Sequence, residues 1–471
     1  MLGLMYFVLS VVLLVLGYFV YGKLAERIYG VAPNMKMPCE QQQDGVDFVP
    51  MSTWRVFLIQ LLNIAGLGPV FGALAGCLFG PACLLWIVFG CILAGAVHDF
   101  FAALASAENR GANLPELIGK YLGKVARVLM QGVCLVLMLL VGVVFTAGPA
   151  DMLHSLISWP TEVWCAVILG YYFLATILPI DVIIGKIYPF FGALFLVMAV
   201  GLMVTLPFCG YEVVPDTDFF ANLHPKGYSI WPLLFVTVAC GAISGFHATQ
   251  SPMMVRCMPE ARHMRPVFYG AMIMEGIVAL VWAVAGLTLR DVIGLGAGTS
   301  VPDAVTRICE LLLGPVGAVL AILGVVVLPI TSGDTAMRCC RLLLADSCRL
   351  SQKPIFNRLL LAVPLFVLVI IISRLEYDVI WQYFGWVNQA LACFTLWAMA
   401  VLLRRRGRFH WVISLPAVLM TSVCICFPLY VPMCRICLDL PVASAIAVGV
   451  SLLFLVGFLL KCRPATARSA H

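Results

Sequence analysis

Of 471 residues, 63% are hydrophobic and 11% carry a formal charge, whereas about a quarter of the residues in an ordinary soluble domain are charged. With a mean hydropathy of +1.04 and apolar runs of about 20 residues, the length that crosses roughly 30 Å of hydrocarbon, this excludes a soluble globular enzyme and predicts an all-α polytopic membrane protein. The net charge of +6 gathers on one predicted face of the membrane, so it marks topology and implies no nucleic acid partner.

Taken in chain order, the predicted spans are Leu2 to Tyr21, Thr53 to Leu78, Pro81 to Ser106, Ala126 to Thr146, Glu162 to Leu178, Lys186 to Leu206 and Ile230 to Val255. Pro266 to Leu287, Gly314 to about Asp334, Arg358 to Ser373, Val379 to Leu403, Trp411 to Pro432 and Pro441 to Leu460 follow, about 13 transmembrane helices in all. Lys23 and Arg27 follow the first span, which has neither a basic n-region nor a small-residue cleavage site, so it reads as a retained helix. Alternate connections lie on opposite sides, and of the 29 Lys and Arg, 24 fall on one side and 5 on the other. The positive-inside rule then places the N-terminus outside and the C-terminus in the cytoplasm. The basic run Arg404-Arg405-Arg406-Gly407-Arg408 is a stop signal at a helix end and a contact for anionic membrane lipid.

Most of the 19 cysteines, Cys77, Cys91, Cys134, Cys165, Cys240 and Cys393 among them, lie inside apolar spans, where they behave as small hydrophobes. Cys434-Arg435-Ile436-Cys437 has CxxC spacing but no second pair and no nearby histidine. A metal is therefore not expected there, and a disulfide stays open. No cofactor is expected anywhere in the chain.

Two spans carry helix breakers at membrane depth. Gln60-Leu61-Leu62-Asn63-Ile64-Ala65-Gly66-Leu67-Gly68-Pro69-Val70-Phe71-Gly72 interrupts the second span, and Ala239-Cys240-Gly241-Ala242-Ile243-Ser244-Gly245-Phe246-His247-Ala248-Thr249-Gln250-Ser251-Pro252 interrupts the seventh. Gly66 and Gly245 are 179 residues apart. Each break opens a unit of five helices, and an odd number makes the second unit enter from the opposite face. The pattern predicts a 5+5 inverted repeat with a broken first helix in each repeat, as in one class of secondary transporters. Spacings such as Gly72-x-x-x-Gly76 have the alternative role of close helix packing. The resulting boundaries are an extra helix and loop over 1–52, a first repeat over 53–207, a loop over 208–229, a second repeat over 230–404, and two further helices with a tail over 405–471.

The breaks imply chemistry. Pro69 suits the first turn of a new half-helix, and Ser251-Pro252 offers an N-cap hydroxyl followed by proline at the first helical position. Half-helix N-termini attract carboxylates, so a small carboxylate-bearing substrate is expected, with hydrogen bonds from Asn63, Ser244, His247, Thr249 and Gln250. Intramembrane ionisable groups mark ion or proton pathways. Glu275, nine residues into its span and so about 13.5 Å deep, is the first candidate proton carrier. Asp99, beside His98, and Asp334 are further candidates that lie nearer predicted cytoplasmic ends, where snorkelling or local ion pairing, for Asp334 with Arg338, is the ordinary alternative. Thr331 and Ser332 offer the hard oxygens of a sodium site, although hydroxyls in a membrane helix also bond back to their own backbone. Absence of a Walker motif gives no support to ATP drive, and absence of GxSxG and HExxH argues against a hydrolase. A channel would need a continuous polar file, whereas these breaks are isolated.

Several of these segments match a known pattern. Asp44-Gly45-Val46-Asp47-Phe48-Val49-Pro50, Ile64-Ala65-Gly66-Leu67-Gly68-Pro69, Leu93-Ala94-Gly95-Ala96-Val97-His98-Asp99-Phe100, Ala239-Cys240-Gly241-Ala242-Ile243-Ser244-Gly245-Phe246-His247 and Thr331-Ser332-Gly333-Asp334-Thr335-Ala336 resemble the carbon starvation (CstA-type) peptide transporter family. The resemblance implies membership of the amino acid/polyamine/organocation superfamily, a leucine-transporter-like core and a bacterial inner membrane. It implies peptide uptake during carbon starvation, or in some members proton-coupled pyruvate uptake. It also implies that the unwound segments, with Ala65, Gly66, Gly68 and Gly245, hold substrate, and that the helix with Thr331 and Ser332 contributes to a cation site. The expectation is a secondary active transporter, proton-coupled and carrying peptides, with pyruvate/proton symport or sodium-coupled carriage of a small carboxylate as alternatives.

Overall fold

The computed structural model describes residues 1–32, 35–43, 48–178, 180–216, 218–352, 354–375, 377–431 and 436–464. The Asp44 to Asp47 part of one motif, and Cys434 and Arg435 of the CxxC segment, lie outside the described residues. Among the described residues the regular structure is helical. Its elements are α1 (Leu2–Tyr29), the pair α2 (Thr53–Ile64) and α3 (Gly68–Phe79), α4 (Ala82–Glu108), α5 (Lys124–Leu156), α6 (Thr161–Ile177) and α7 (Phe190–Phe208). After these come α8 (Ile230–Thr237) and α9 (Gly245–Val255), then α10 (Ala261–Ile293), α11 (Gly317–Ala345), α12 (Ile355–Ile372), α13 (Val379–Arg405), α14 (Trp411–Tyr430) and α15 (Leu440–Lys461).

Ten of these helices are long and apolar enough to cross a membrane, or eleven crossings if the bent pair α2 and α3 is one span. The thirteen predicted spans meet this set unevenly. α6 is an apolar helix of 17 residues, and the seventh span is the two short pieces α8 and α9. Burial orders the rest: 89% of the most apolar stretch of α4 and of α10 is buried, against 22% in α1 and in α15. α4 and α10 therefore form the centre, and α1 and α15 present apolar side chains outward, as lipid-facing helices do.

Both predicted breaks are present. α2 stops at Ile64, and the chain turns by 51° before α3. Pro69 sits in the first turn after the break, where its missing N–H costs nothing. α8 and α9 are separated by the non-helical Val238 to Ser244 segment, with Gly241 at a φ of 86°, a conformation that glycine adopts without strain.

The two breaks touch. A Cβ on Gly68 would lie 2.0 Å from the Cys240 Cβ, and one on Gly95 of α4 would lie 2.2 Å from the Ala242 carbonyl oxygen. Missing side chains at these positions let the broken segments and α4 approach backbone to backbone.

One local expectation is corrected. Ser251-Pro252 does not start a half-helix: α9 begins at Gly245 and Pro252 lies inside it. The Ser251 hydroxyl instead donates to the His247 carbonyl at 3.0 Å. A proline late in an 11-residue helix forfeits one backbone bond, and neighbouring packing tolerates this in a buried segment.

Candidate functional site

At the second break four fully buried ionisable side chains from three helices converge: His98 and Asp99 of α4, His247 of α9 and Glu275 of α10. Asp99 Oδ1 lies 2.7 Å from His98 Nδ1, and Oδ2 lies 3.0 Å from His247 Nδ1. An ionised carboxylate only accepts hydrogen bonds, so this pairing assigns a proton to Nδ1 of both rings. The other face of His247 continues the chain, its Nε2 standing 3.5 Å from Glu275 Oε2. Glu275 Oε1 accepts the Gly241 N–H at 3.1 Å, which ties the carboxylate to the broken backbone.

Hydrogen-bond counting gives this cluster its chemistry. With Nδ1–H committed to Asp99, His247 and Glu275 share one further proton: either His247 is an imidazolium beside a carboxylate, or neutral Nε2 faces a protonated Oε2. Cys240, His247 and Glu275 also offer ligand atoms within 4.8 Å of one another, a donor set suited to a soft divalent cation. In either form, however, His247 Nε2 and Glu275 Oε2 already face each other across the shared proton, an arrangement that needs no metal to balance it.

Around the cluster the sequence-predicted residues take defined places. Asn63 is fully buried, and neither amide atom has a hydrogen-bond partner among the described residues. Ala65 and Gly66 form the first break beside it; a Cβ on Gly66 would meet the Phe145 ring at 2.7 Å and the Ser332 hydroxyl at 3.5 Å. Gly245 faces α13, where a Cβ would lie 2.4 Å from the Asn388 carbonyl oxygen. Gln250 Nε2 donates to the Thr249 hydroxyl at 3.0 Å, and its Oε1 has no partner among the described residues. Ser332 donates to the Leu62 carbonyl at 3.0 Å, linking α11 to the last turn of α2. Thr331 donates within its own helix, to the Leu328 carbonyl at 2.8 Å. Asp334 lies with a different group: the Tyr171 hydroxyl of α6 donates to its Oδ2 at 2.7 Å, while Arg338 donates to the Ala175 carbonyl.

Of the two ordinary alternatives for Asp99 the structure shows local pairing and not snorkelling: it is fully buried, contacts His98 and shares His247 with Glu275. One expectation about this region changes: the half-helix N-termini do not stand open. Val70 and Phe71 N–H groups donate to the Leu67 carbonyl, the Phe246 N–H donates to Asn388 Oδ1 at 2.7 Å, and Gly241 N–H is held by Glu275. The protein supplies its own acceptors at these donors, because buried N–H groups left unpaired are costly.

Asn388 was not among the sequence candidates. Besides capping α9 through Phe246, it exchanges hydrogen bonds with Ser244, donating to the hydroxyl at 3.0 Å and accepting from it at 3.1 Å. The signal was available as Asn388-Gln389 in the middle of an apolar span, where polar pairs are rare. His98 and Gln60, whose amide donates to Ser251 at 3.3 Å, complete the missed set.

The site lies between an aromatic column and a cavity. Phe71 packs on Trp381, Trp381 on Phe384, Phe384 on Phe145 and Phe145 on Phe246, with ring centroids 5.6 to 6.3 Å apart. Beyond the other end of α9 a cavity of about 380 Å³ is lined by Thr249, Met253, Arg256, Cys339, Glu116 and Gln352, among others. Thr249 lies two residues after His247 on α9, so the helix that carries His247 also lines this cavity.

The family model described as "Carbon starvation protein CstA" matches residues 2–161, 133–307 and 296–426. The chain belongs to the CstA family. A relative in Haemophilus influenzae, an uncharacterized membrane protein, is 41% identical over 363 residues, covering 66% of this chain and 96% of that protein. The peptide transporter CstA of Campylobacter jejuni is 27% identical over 350 residues, 60% of this chain and 50% of that one. The pyruvate/proton symporter BtsT of Escherichia coli is 25% identical over 350 residues, 60% of this chain and 48% of that one. This chain thus matches about half the length of these two transporters. In fold it is similar to MhsT, solved in complex with L-phenylalanine, with a TM-score of 0.57 at 12% identity over 86% of this chain and 99% of that one. A manganese transporter of Eremococcus coleocola is similar in fold too, with a TM-score of 0.54 at 13% identity over 89% of this chain and 97% of that one, so the fold of this CstA family member is one found among transporters.

Proposed function

We propose that this protein is a secondary active transporter of the bacterial inner membrane that takes up peptides during carbon starvation, driven by a proton shared between His247 and Glu275. The observation that carries the reading is the buried chain from His98 through Asp99 and His247 to Glu275, which ends on the Gly241 N–H of a broken helix. A substrate carboxylate entering the break needs an N–H donor, and Gly241 already gives its own to Glu275. Protonating Glu275 weakens its hold on that donor and lets the substrate carboxylate replace it. Substrate and proton then bind together, which is the requirement for symport. Asn63 and Gln250 have buried amide atoms without a partner among the described residues to orient the substrate, and Ala65, Gly66, Gly68, Ser244 and Gly245 supply close backbone approach.

The same reading takes the chain as thirteen crossings with the N-terminus outside and the C-terminus in the cytoplasm. Two inverted five-helix repeats span 53–207 and 230–404, flanked by an extra helix before and two after. The aromatic column closes the outer side, and the cavity beyond Thr249 is the inward path. A sodium-coupled alternative has its own observation in the Ser332 hydroxyl beside the Leu62 carbonyl at the first break, where two oxygens and Thr331 adjoin.

Reconstitution in liposomes tests the reading, with labelled peptides and labelled pyruvate offered under separate pH and sodium gradients. The expected result is peptide accumulation that follows the pH gradient. Accumulation of pyruvate alone would make this a monocarboxylate symporter at the same site. Dependence on sodium alone would move coupling to Ser332 and Thr331 and overturn the role given to Glu275.

A further inference from the structure

Away from the transport site, α13, α15 and the start of α5 enclose a groove of about 1060 Å³. Its wall is apolar, with Phe394, Trp397 and Val401 from α13 and Leu453 and Phe454 from α15. At one end only, the lining turns basic, with Arg405, Lys461 and Arg463, all exposed and with no acidic residue in the lining.

The neighbouring arginines are engaged elsewhere. Arg404 donates to the Leu459 carbonyl at 2.9 Å and to the Cys462 carbonyl at 2.5 Å, and its guanidinium stacks 5.4 Å over the Phe458 ring. It thereby fixes the last turn of α15 against α13, using the unpaired carbonyls of a helix C-terminus. Arg406 pairs with Glu108. Lys461 and Arg463, by contrast, form no hydrogen bond or ion pair among the described residues, and Arg405 has only a long 3.5 Å contact to the Tyr121 carbonyl.

We infer that this groove binds one anionic diacyl phospholipid, its headgroup on Arg405, Lys461 and Arg463 and an acyl chain along Trp397 and Phe454. The dimensions fit a single leaflet. Phe394 and Arg405 on α13, and Val450 and Lys461 on α15, are each eleven residues apart, about 16 Å of helix, against about 15 Å for half the hydrocarbon core. Charge selects the occupant. Three cations at the mouth favour an anionic headgroup over a zwitterionic one. They also disfavour a second copy of this chain, because a two-fold axis along the membrane normal would bring the same three cations to the same depth on facing subunits.

The test is native mass spectrometry of the purified full chain with phosphatidylglycerol or phosphatidylcholine of identical acyl chains. The comparison is with the triple variant R405Q/K461Q/R463Q, whose folding is checked by its melting curve in lipid-free detergent. Retention of phosphatidylglycerol is expected to exceed that of phosphatidylcholine by about a hundredfold in the wild type and to fall to about equal in the variant. Gly457→Phe, which fills the apolar wall and keeps all three charges, is expected to abolish retention of both lipids. Equal retention of the two lipids by the wild type would overturn the proposal. So would an unchanged preference in the triple variant, displacement of the lipid by inorganic phosphate, or a dimer that buries the groove.

Discussion

Replacing Glu275 by glutamine isolates the shared proton. In the wild type Glu275 accepts from Gly241 through Oε1 and faces His247 Nε2 at 3.5 Å through Oε2. Glutamine keeps an oxygen for Gly241 and turns an amide N–H toward His247, which stays neutral with Nδ1–H on Asp99. Every contact has a counterpart, so the fold should lose about 0–1 kcal/mol. Glu275→Ala instead orphans the Gly241 N–H and leaves Asp99 and His247 without their third partner, a loss of about 3–5 kcal/mol. Transport should separate in the opposite sense from stability. With one proton per substrate, each pH unit supplies about 1.4 kcal/mol, or a tenfold accumulation ratio. A gradient of about two units should therefore concentrate substrate about a hundredfold in wild-type liposomes and not at all in Glu275→Gln. Counterflow exchange of labelled for unlabelled substrate, which needs no net proton movement, should persist in Glu275→Gln within about threefold, a change worth under about 1 kcal/mol. The measurement is gradient-driven uptake and counterflow on the same vesicles, with melting curves for both variants. Accumulation by Glu275→Gln equal to wild type would refute the shared-proton argument, and a Glu275→Ala protein as stable as wild type would refute the hydrogen-bond accounting.

Other residues give narrower tests. Asn388→Ala removes the acceptor for Phe246 N–H and the partner of Ser244, so it should lower stability by about 1–2 kcal/mol and weaken substrate binding, while Asn388→Asp, which keeps the acceptor, should retain most of the stability; calorimetry and binding titration of both variants read this. Gly68→Ala places a methyl 2.0 Å from Cys240 Cβ and should separate the two breaks, abolishing exchange as well as accumulation; normal exchange in that variant would show that the close approach is dispensable. Asp334→Asn still accepts from Tyr171, so transport should stay within about threefold of wild type, and its loss would bring Asp334 into the coupling pathway.

Local signals carried the backbone of the site. Two glycines and a proline within seven residues of an apolar run mark the first break, and a glycine-flanked polar stretch marks the second, because neither can sustain a helix at membrane depth without help. Glu275 was visible for a related reason: a carboxylate near the middle of a span needs a partner. Its partners were not visible, since nothing in the chain near Glu275 points to residue 247 or residue 99. Asp99 was judged by its distance from a span end, whereas packing of α4 against α9 buries it. The N-cap rule failed at Ser251-Pro252 because Asn388, more than a hundred residues downstream, supplies the acceptor for a start seven residues earlier.

The sequence by itself determined that the chain is a membrane protein of many helices, where two of them break, and which family it resembles. Apolar length, glycine and proline act over one turn or one span, and a single chain segment displays them fully. The tertiary structure alone decided that the two breaks meet at Gly68 and Cys240, that Asp99 bonds to His247 while His247 faces Glu275 at 3.5 Å, and that Asn388 occupies the helix end expected to be open. These depend on which helices pack together, and in a bundle that choice rests on close approach of small residues and pairing of buried polar groups across distant parts of the chain.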